Sequence, residues 1–578
     1  MPQLDQPHVS YCFGDVVVDR ELFRVLKRGQ VRTLEPRAFE LLIYLIEHRD
    51  RVVEKQELFD QIWKESFVTD DALTQEIKNI RRAIGDTAGD PHYIKTVPKH
   101  GYCFIADAVE EREPAGSPRP RIAVLPFLNL SGIPEDDYFC DGLAEELLNS
   151  LSRIKDLRVI ARTSAFALRH CHLDMREIGR RLNATIVLEG SLQKTGNHLR
   201  VFTQLISTAD GCHIWSERFD RQMDGVFAIQ DEITEVIISK LKLKLMVDEK
   251  MALVKRHTES IDAYHLYLKG RYFFNKRFEP GAMQNAIGQY QKATQIDANY
   301  GLAYSGLADC YNLLGIFQFR SPSDVFPKAR EFSERALKCD DSLGEAHASL
   351  GYTQMLYDWD WQGAGYEFKK ALDLNPSYAL AHFWYAQYLC AVQHFGEAIA
   401  EAKRAQDLDP ISVPINANVG LVLCWVRKYK EAREQLERTL ELDPNHGLVH
   451  FYLGLVLKAE GKYEEAIAEF QKTLEKTGGM PLAMINLGYA CAQSGKRSEA
   501  KNMLQEAEAQ FKKRGLPVSL LAWTHLGLGN LEKAFECLNQ ACEEHNPVLP
   551  WLGIYPEFDG LHGDPRFREL LRRLHLIS

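Results

Sequence analysis

Alanine recurs every 34 residues through the second half of the sequence, which leaves few architectures open. Six alanines stand in this register: Ala364, Ala398, Ala432, Ala466, Ala500 and Ala534. A second series of small residues keeps the same step: Ala386, Gly420, Gly454, Gly488 and Ala522. A period of this length, in a region without the alternating apolar and polar residues of β-strands, predicts stacked helical hairpins.

Two further series support paired helices. A bulky series, broken only by Ala402, is expected to fill the space between neighbouring hairpins: Phe368, Leu436, Phe470, Leu504 and Leu538. Pro376, Pro410 and Pro444 are expected to end the second helix of each pair, because proline donates no backbone hydrogen bond. In period and placement the pattern resembles the tetratricopeptide repeat (TPR).

The resemblance implies an all-α TPR superhelix over residues 260–578, with about eight repeats and a final capping helix in DPRFRELLRRLHL. The concave groove of such an array usually holds a peptide segment of a partner, and RNA polymerase is one candidate. The alternative is a scaffold or dimerisation array whose groove holds no peptide.

Length and composition restrict the remaining choices. A chain of 578 residues exceeds a single core, and its net charge of −10 opposes DNA binding over the whole surface while allowing one local patch. Twelve cysteines without a CxxC pair indicate reduced thiols in a cytoplasmic protein. The first residues do not form a signal peptide, and no stretch approaches the ~20 apolar residues that cross a bilayer.

The first hundred residues combine short strands with three helices. Strand-like segments occupy residues 10–34, helical periodicity follows over 36–84, and a β-type segment closes the unit at 92–105. The third helix is expected over Ala72–Ile84, where four apolar residues share one face: Leu73, Ile77, Ile80 and Ile84. Its opposite face carries residues that can read bases or grip phosphate: Gln75, Glu76, Lys78, Asn79 and Arg82.

A hairpin with a basic tip is predicted after this helix. Strands at Tyr93–Val97 and Tyr102–Ile105 enclose Pro98-Lys99-His100-Gly101. A basic hairpin beside a recognition helix is typical of a wing that reaches the DNA backbone or minor groove.

These segments resemble the OmpR/PhoB-type winged-helix effector domain over about residues 10–107. The similarity is carried by LEPRAFELL from Leu34, IRRAI from Ile80 and GYCF from Gly101. It implies double-stranded DNA as a partner, with the third helix in the major groove and Thr96, Lys99 and His100 at the wing. Unlike membrane-anchored CadC-like regulators, this sequence shows no membrane helix.

Charge argues for weak binding by one copy, because residues 1–107 hold 15 Lys and Arg against 18 Asp and Glu, a net charge of −3. Local charge on the third helix, from Lys78, Arg81 and Arg82, would help, as would a homodimer on repeated half-sites. The alternative is a TPR adaptor or assembly protein whose winged helix contacts protein.

Between these regions lie a linker and an α/β unit. Residues 108–120 contain three prolines and mixed charges, as linkers do. Residues 121–250 resemble the TolB-like α/β domain in IAVLPF from Ile122, DGLAEEL from Asp141, VLEGS from Val187 and GCHIWSE from Gly211. The resemblance implies a fold and little chemistry.

No catalytic motif, cofactor-binding loop or metal site is predicted. Asp136-Asp137 is expected in a solvated loop, and His170-Cys171-His172 in a surface loop. The sequence therefore predicts a multidomain protein: an α+β winged helix, an α/β TolB-like domain and an all-α TPR superhelix. Its predicted function is that of a DNA-binding transcriptional regulator, not an enzyme.

Overall fold

The chain forms two compact units, residues 1–118 and residues 119–578. The computed structural model describes residues 9–14, 16–19, 24–27, 30–32, 34, 36–62, 70–87, 89–98, 100–106, 109–112, 119–133, 136–169, 171, 173–222, 226–241, 243, 257–276, 281–316, 320–514 and 517–577.

The first unit, called the head below, contains two small antiparallel sheets. Its leading sheet has five strands in the order β4-β3-β2-β1-β8, and a second sheet has the order β5-β7-β6. The strands are β1 Val9–Phe13, β2 Val16–Asp19, β3 Arg24–Lys27, β4 Gln30–Arg32, β5 Val53–Glu54, β6 Ile94–Val97, β7 Gly101–Phe104 and β8 Val109–Arg112.

Three helices pack against these sheets: α1 Pro36–Glu47, α2 Lys55–Ile62 and α3 Asp70–Ile84. Helix α3 begins two residues before the predicted start. Its four apolar residues are at most 1% exposed, as the periodicity predicted: Leu73, Ile77, Ile80 and Ile84. Burying that face leaves the polar face of α3 as a candidate DNA surface.

Part of the expected linker belongs to the head sheet. Val109–Arg112 pairs antiparallel with Val9–Cys12, so β8 closes the edge of the leading sheet. The prolines and charges of residues 108–120 predicted a linker throughout, because a strand of four residues is too short to show a clear alternating pattern. Residues 113–118 lie outside the described part of the chain.

The second unit begins with a mixed sheet of six strands. Its order is β11-β9-β12-β13-β14, with β10 also paired to β12. The pairs β11–β9, β9–β12 and β10–β12 are parallel, and the pairs β12–β13 and β13–β14 are antiparallel. The strands are β9 Arg121–Val124, β10 Leu128–Asn129, β11 Arg158–Val159, β12 Ile186–Thr195, β13 His198–Ser207 and β14 His213–Gln222. The helices are α4 Asp137–Ser152, α5 Arg162–Ala167, α6 Met175–Leu182 and α7 Val226–Lys240.

This α/β region, called the middle domain below, shares one hydrophobic core with the helical region that follows. Gly142 on α4 lies against Leu268, and a Cβ at Gly142 would stand 2.6 Å from the Leu268 side chain. Glu145, one turn further along α4, binds Arg271 and, at 2.9 Å, Arg162. The DGLAEEL segment therefore forms a docking surface for the first helix of the repeat region.

Asp136 does not lie in a solvated loop. It is 6% exposed and pairs with Lys194 at 2.9 Å, while Asp137 accepts a hydrogen bond from Asn129 at 2.7 Å. Strand pairing between β10 and β12 brings Lys194 near this carboxylate, a contact that local sequence cannot report. Of the predicted surface loop at residues 170–172, His170 and His172 lie outside the described residues.

Helical pairs fill the rest of the second unit. They are Ile261–Asn275 with Ala282–Ile296, Gly301–Ile316 with Pro322–Cys339, Gly344–Thr353 with Trp361–Leu374, Ala379–Ala391 with Phe395–Leu408, Val413–Trp425 with Tyr429–Leu442, Gly447–Ala459 with Tyr463–Thr477, Pro481–Gln493 with Arg497–Arg514, and Ala522–Gly527 with Leu531–Glu543. Short helical turns occupy Gln354–Asp358, Val518–Leu521, Leu549–Trp551 and Pro556–Leu561, and Pro565–Arg573 forms the last helix.

The 34-residue series explains the packing within these pairs. All six register alanines are at most 1% exposed. The bulky series lies over the small residue of its own hairpin rather than only between hairpins: a Cβ at Gly454 would stand 2.6 Å from the Phe470 ring, and one at Gly420 would stand 2.5 Å from Leu436. Glycine at these positions therefore admits a large neighbour.

The segment after the last pair folds back onto the inner face, the side lined by the first helices of successive hairpins. Trp551 stacks on Trp425 with ring centroids 5.1 Å apart, and its Nε1 donates to the Gln387 carbonyl at 3.0 Å. Trp361 Nε1 donates to the Leu574 carbonyl at 2.7 Å, so the end of the chain touches an early repeat. The groove expected to hold a partner peptide therefore holds residues of this chain.

None of the helices in the described ranges is long and apolar enough to cross a membrane.

Candidate nucleic-acid interface

The polar face of α3 carries the five helix residues that were predicted to meet DNA. Gln75, Lys78 and Arg82 are exposed, whereas Glu76 and Asn79 are half-buried. Hydrogen bonds run along the face: Gln75 Nε2 donates to Asn79 Oδ1 at 3.2 Å, and Asn79 Nδ2 donates to Glu76 Oε2 at 3.3 Å. The two amides are thus ordered, while the two cations extend into solvent.

Arg81 does not belong to this face. It is 8% exposed, and its Nη2 donates to the Ile94 carbonyl at 2.7 Å and to Thr96 Oγ1 at 3.0 Å. The prediction that its charge helps to bind phosphate was therefore wrong. Arg81 instead ties the last turns of α3 to β6, the first strand of the wing.

Asp86 holds the start of the same strand. Its buried carboxylate accepts backbone hydrogen bonds from His92 at 2.7 Å, Tyr93 at 3.3 Å and Ile94 at 2.8 Å. Sequence reasoning missed this residue, because its donors lie six to eight residues further along the chain, beyond the reach of a local Asx turn. Together, Arg81 and Asp86 fix the wing relative to α3.

The end of α3 is also fixed from the leading sheet. Lys27 Nζ donates to the Ile84 carbonyl at 3.0 Å, which satisfies one of the last acceptors of the helix. Gly85 follows in the left-handed region at φ +70°, and a Cβ there would overlap the Lys27 side chain. The glycine is thus required both by its backbone conformation and by this lysine.

The wing consists of β6 and β7, which agree with the predicted strands to within one residue at either end. Thr96 is exposed, but its hydroxyl is engaged by Arg81. His100 is exposed at the tip, and its backbone accepts a hydrogen bond from the Lys55 N–H at 3.2 Å. Lys99 lies outside the described residues.

The base of the wing is packed tightly on β5. Gly101 is buried, and a Cβ there would stand 1.9 Å from the Val53 carbonyl oxygen. Lys95, in β6, is exposed and adds a cation that the sequence analysis left out. The alternation of buried Ile94 with Lys95 is the signal that could have identified it.

The geometry is that of a winged-helix domain of the DNA-binding type. A helix presents amides and cations on an ordered face, and a hairpin with exposed polar residues is held rigidly beside it. Residues 29–104 match the family model described as transcriptional regulatory protein, C terminal, and three tetratricopeptide-repeat models match residues 426–481, 457–515 and 519–544. The head is therefore an OmpR/PhoB-type domain, and the helical region contains TPR repeats.

Three curated relatives extend the comparison. Putative adenylate cyclase 3 of Rhizobium meliloti (strain 1021) is 32% identical over 281 residues, which cover 48% of this chain and 46% of that protein. Transcriptional regulator HilA of Salmonella typhi is 24% identical over 409 residues, 69% of this chain and 71% of HilA. Transcriptional activator CadC of Escherichia coli (strain K12) is 36% identical over 114 residues, 20% of this chain and 22% of CadC.

The chain thus spans less than half the length of the first of these relatives. Two of the three are named as regulators of transcription.

Proposed function

We propose that this chain is a sequence-specific DNA-binding transcriptional regulator. One observation carries the proposal: Arg81 and Asp86 hold the wing against α3 while the exposed face of α3 keeps Lys78 and Arg82 in solvent. A recognition helix must be oriented by the surrounding domain before its side chains can read a groove.

Each predicted contact has a role in this proposal. Gln75 and Asn79 read base edges, since side-chain amides pair with adenine in the major groove. Lys78 and Arg82 neutralise phosphates, and Glu76 orders Asn79. The wing residues meet the sugar–phosphate backbone: Lys95, Thr96, Lys99 and His100.

Binding as a homodimer on repeated half-sites follows from charge. Residues 1–107 carry a net charge of −3 and release few counterions per copy, so two copies are needed for tight binding. The second unit would then receive a signal or recruit a partner protein through its TPR repeats, with RNA polymerase as a candidate.

A cytoplasmic location is part of the same proposal. It is supported by the eleven cysteines whose side chains are described, since all of them are free thiols.

Action by binding rather than by catalysis is also proposed, although one relative bears the name of an adenylate cyclase. Two buried carboxylates of the middle domain are engaged by arginines and so are not free for chemistry: Asp141 binds Arg169, and Glu145 binds Arg271 and Arg162. Incubating the purified chain with ATP and Mg²⁺ tests this point, and the appearance of cyclic AMP would contradict it.

The competing function is a TPR adaptor whose head contacts protein. A genome-wide DNA-binding profile of the intact protein separates the two, compared with a Lys78→Ala/Arg82→Ala variant. A Lys501→Ala/Lys513→Ala variant removes the same charge from exposed TPR positions and serves as the control. We expect discrete binding sites that persist in the control and disappear in the α3 variant; sites retained by the α3 variant favour the adaptor.

A further inference from the structure

A cavity of about 130 Å³ lies on the inner face of the repeat region. Its walls are largely apolar and aromatic, and its volume approaches the ~150 Å³ of an apolar protein cavity known to take up benzene. Aromatic walls come from Tyr352, Trp425, Phe451, Tyr452, Trp523, Trp551 and Tyr555. A cavity of this size and lining suits a single six-membered ring.

One corner of the cavity is polar and buried. Lys458 and Glu557 form an ion pair at 2.6 Å, and both side chains are 3% exposed. Lys458 Nζ also donates to Asn486 Oδ1 at 2.5 Å, and Trp523 Nε1 donates to Glu557 Oε1 at 2.8 Å. None of these bonds involves the second carboxylate oxygen, Glu557 Oε2, which is buried and has no hydrogen-bond partner among the described residues.

A buried carboxylate oxygen without a donor costs free energy that a ligand donor would recover. Lys458 already balances the charge of Glu557, so neither a cation nor an anion is required. The cavity walls favour a ligand with an aromatic ring, and the polar corner favours one O–H or N–H donor on that ligand.

We infer that this cavity is a binding site for a small neutral aromatic molecule of the phenol class, whose hydroxyl donates to Glu557 Oε2 while its ring lies among the tryptophans. The ligand would contact both the repeat helices and the segment Val548–Glu557, and so would hold the chain's end on the inner face. The inference is independent of DNA binding by the head.

Calorimetric titration of the full chain with phenol tests the inference, with anisole as the matched probe. Anisole has the same ring and oxygen but no hydroxyl proton. We expect phenol to bind at least tenfold more tightly than anisole, because a site that accepts a hydrogen bond rejects analogues lacking the donor. Phenol should also change the fluorescence of the chain, since three tryptophans line the cavity.

Two variants locate the site. Leu455→Trp fills the cavity from a half-buried wall position and should abolish phenol binding, whereas Leu442→Trp, at an exposed helix position, should leave it unchanged. Lys458→Met/Glu557→Leu removes the ion pair without leaving an unpaired charge, and should lower the phenol-to-anisole preference to about one. Circular dichroism verifies that each variant is folded.

The inference is overturned if phenol and anisole bind equally to the unaltered chain, if neither binds at millimolar concentration, or if Leu455→Trp leaves phenol affinity unchanged. The last two results would indicate that solvent alone occupies this corner.

Discussion

Ser164 donates two hydrogen bonds to the same carboxylate oxygen of Asp409, from its backbone N–H at 2.9 Å and from its hydroxyl at 2.5 Å. Ser164 lies in α5 of the middle domain, and Asp409 directly follows the repeat helix that ends at Leu408. The neighbouring Ala161 N–H donates to the Leu408 carbonyl at 2.7 Å. The middle domain is therefore bonded to the middle of the repeat array as well as to its first helix.

Ser164→Ala should destabilise the second unit in a pH-dependent manner. Burial raises the pKa of Asp409 to about 6, and the Ser164 hydroxyl opposes that rise by favouring the carboxylate. Removing the hydroxyl raises the folded-state pKa further, so the loss is present above about pH 6 and shrinks as Asp409 takes up a proton at lower pH. We expect a loss of about 2 kcal/mol at pH 7.5 in the free energy of unfolding, measured by denaturant titration.

Ser152→Ala is the control for this change. Ser152 is equally buried in the middle domain, but its hydroxyl donates at 2.7 Å to Asn149 within its own helix turn. Its effect should be the same at pH 5 and pH 7.5. Equal pH profiles for the two variants would contradict the assigned role of Ser164.

Glu146→Gln should stabilise the protein at alkaline pH. Burial and the neighbouring charge of Glu145 raise the pKa of Glu146 to about 7, against opposing charges on Arg271 and Arg153. The raised pKa means that the unaltered chain loses stability as pH rises from about 4.5 through 7, because the folded state resists ionisation there. Glutamine mimics the neutral acid and avoids this loss.

The expected gain for Glu146→Gln is about 1–3 kcal/mol at pH 8 and close to zero at pH 4. Thermal unfolding followed at both values measures it. A gain that is independent of pH would mean that packing, not the carboxyl proton, is responsible.

Gly454→Ala should be destabilising although it lies within a helix. The added Cβ would stand 2.6 Å from the Phe470 ring, so one of the two helices must shift, at a cost of about 1–3 kcal/mol. Gly396→Ala is the matched control, because it is also helical and no atom lies within 4 Å of the new Cβ. There the better helix propensity of alanine should stabilise by up to about 1 kcal/mol. Changes of opposite sign in the free energy of unfolding, measured by denaturant titration of the two variants, would support the close contact between the two helices of this hairpin.

Thr96→Val should weaken DNA binding through the position of the wing. Valine keeps the shape of threonine but cannot accept the hydrogen bond from Arg81, and this loosens the wing against α3. We expect about a fivefold loss of affinity, equivalent to one hydrogen bond of about 1 kcal/mol. Thr96→Ser keeps the hydroxyl and should bind as the unaltered chain does, measured by fluorescence anisotropy on a bound operator fragment. A loss for Thr96→Ser as large as that for Thr96→Val would contradict the role of the hydroxyl.

Lys78→Ala should reduce the salt dependence of DNA binding. A lysine that neutralises one phosphate contributes about 0.9 to the slope of log affinity against log salt. Removing it should therefore lower the magnitude of the slope by about one for each head bound, at every duplex sequence tested. An unchanged slope would show that Lys78 does not meet phosphate.

Much of this architecture could be predicted from sequence because its signals are local. Apolar residues three and four apart predicted the buried face of α3. The spacing of alanines and glycines identified the helical hairpins, and Pro376, Pro410 and Pro444 each follow a second helix that ends two residues earlier. In each case the physical rule acts within one element or between neighbours in the chain.

Contacts between distant segments were decided by the tertiary structure. The sequence predicted that Arg81 binds DNA, but β6 buries it. The sequence also predicted that Asp136 is solvated, but Asp136 pairs with Lys194. The same holds for the bond from Ser164 to Asp409 and for Trp551 stacked on Trp425 across the inner face. The periodicity of apolar residues shows which side chains are buried. Only the packing of whole elements selects their partners, because a partner depends on where segments that are distant in sequence meet in space.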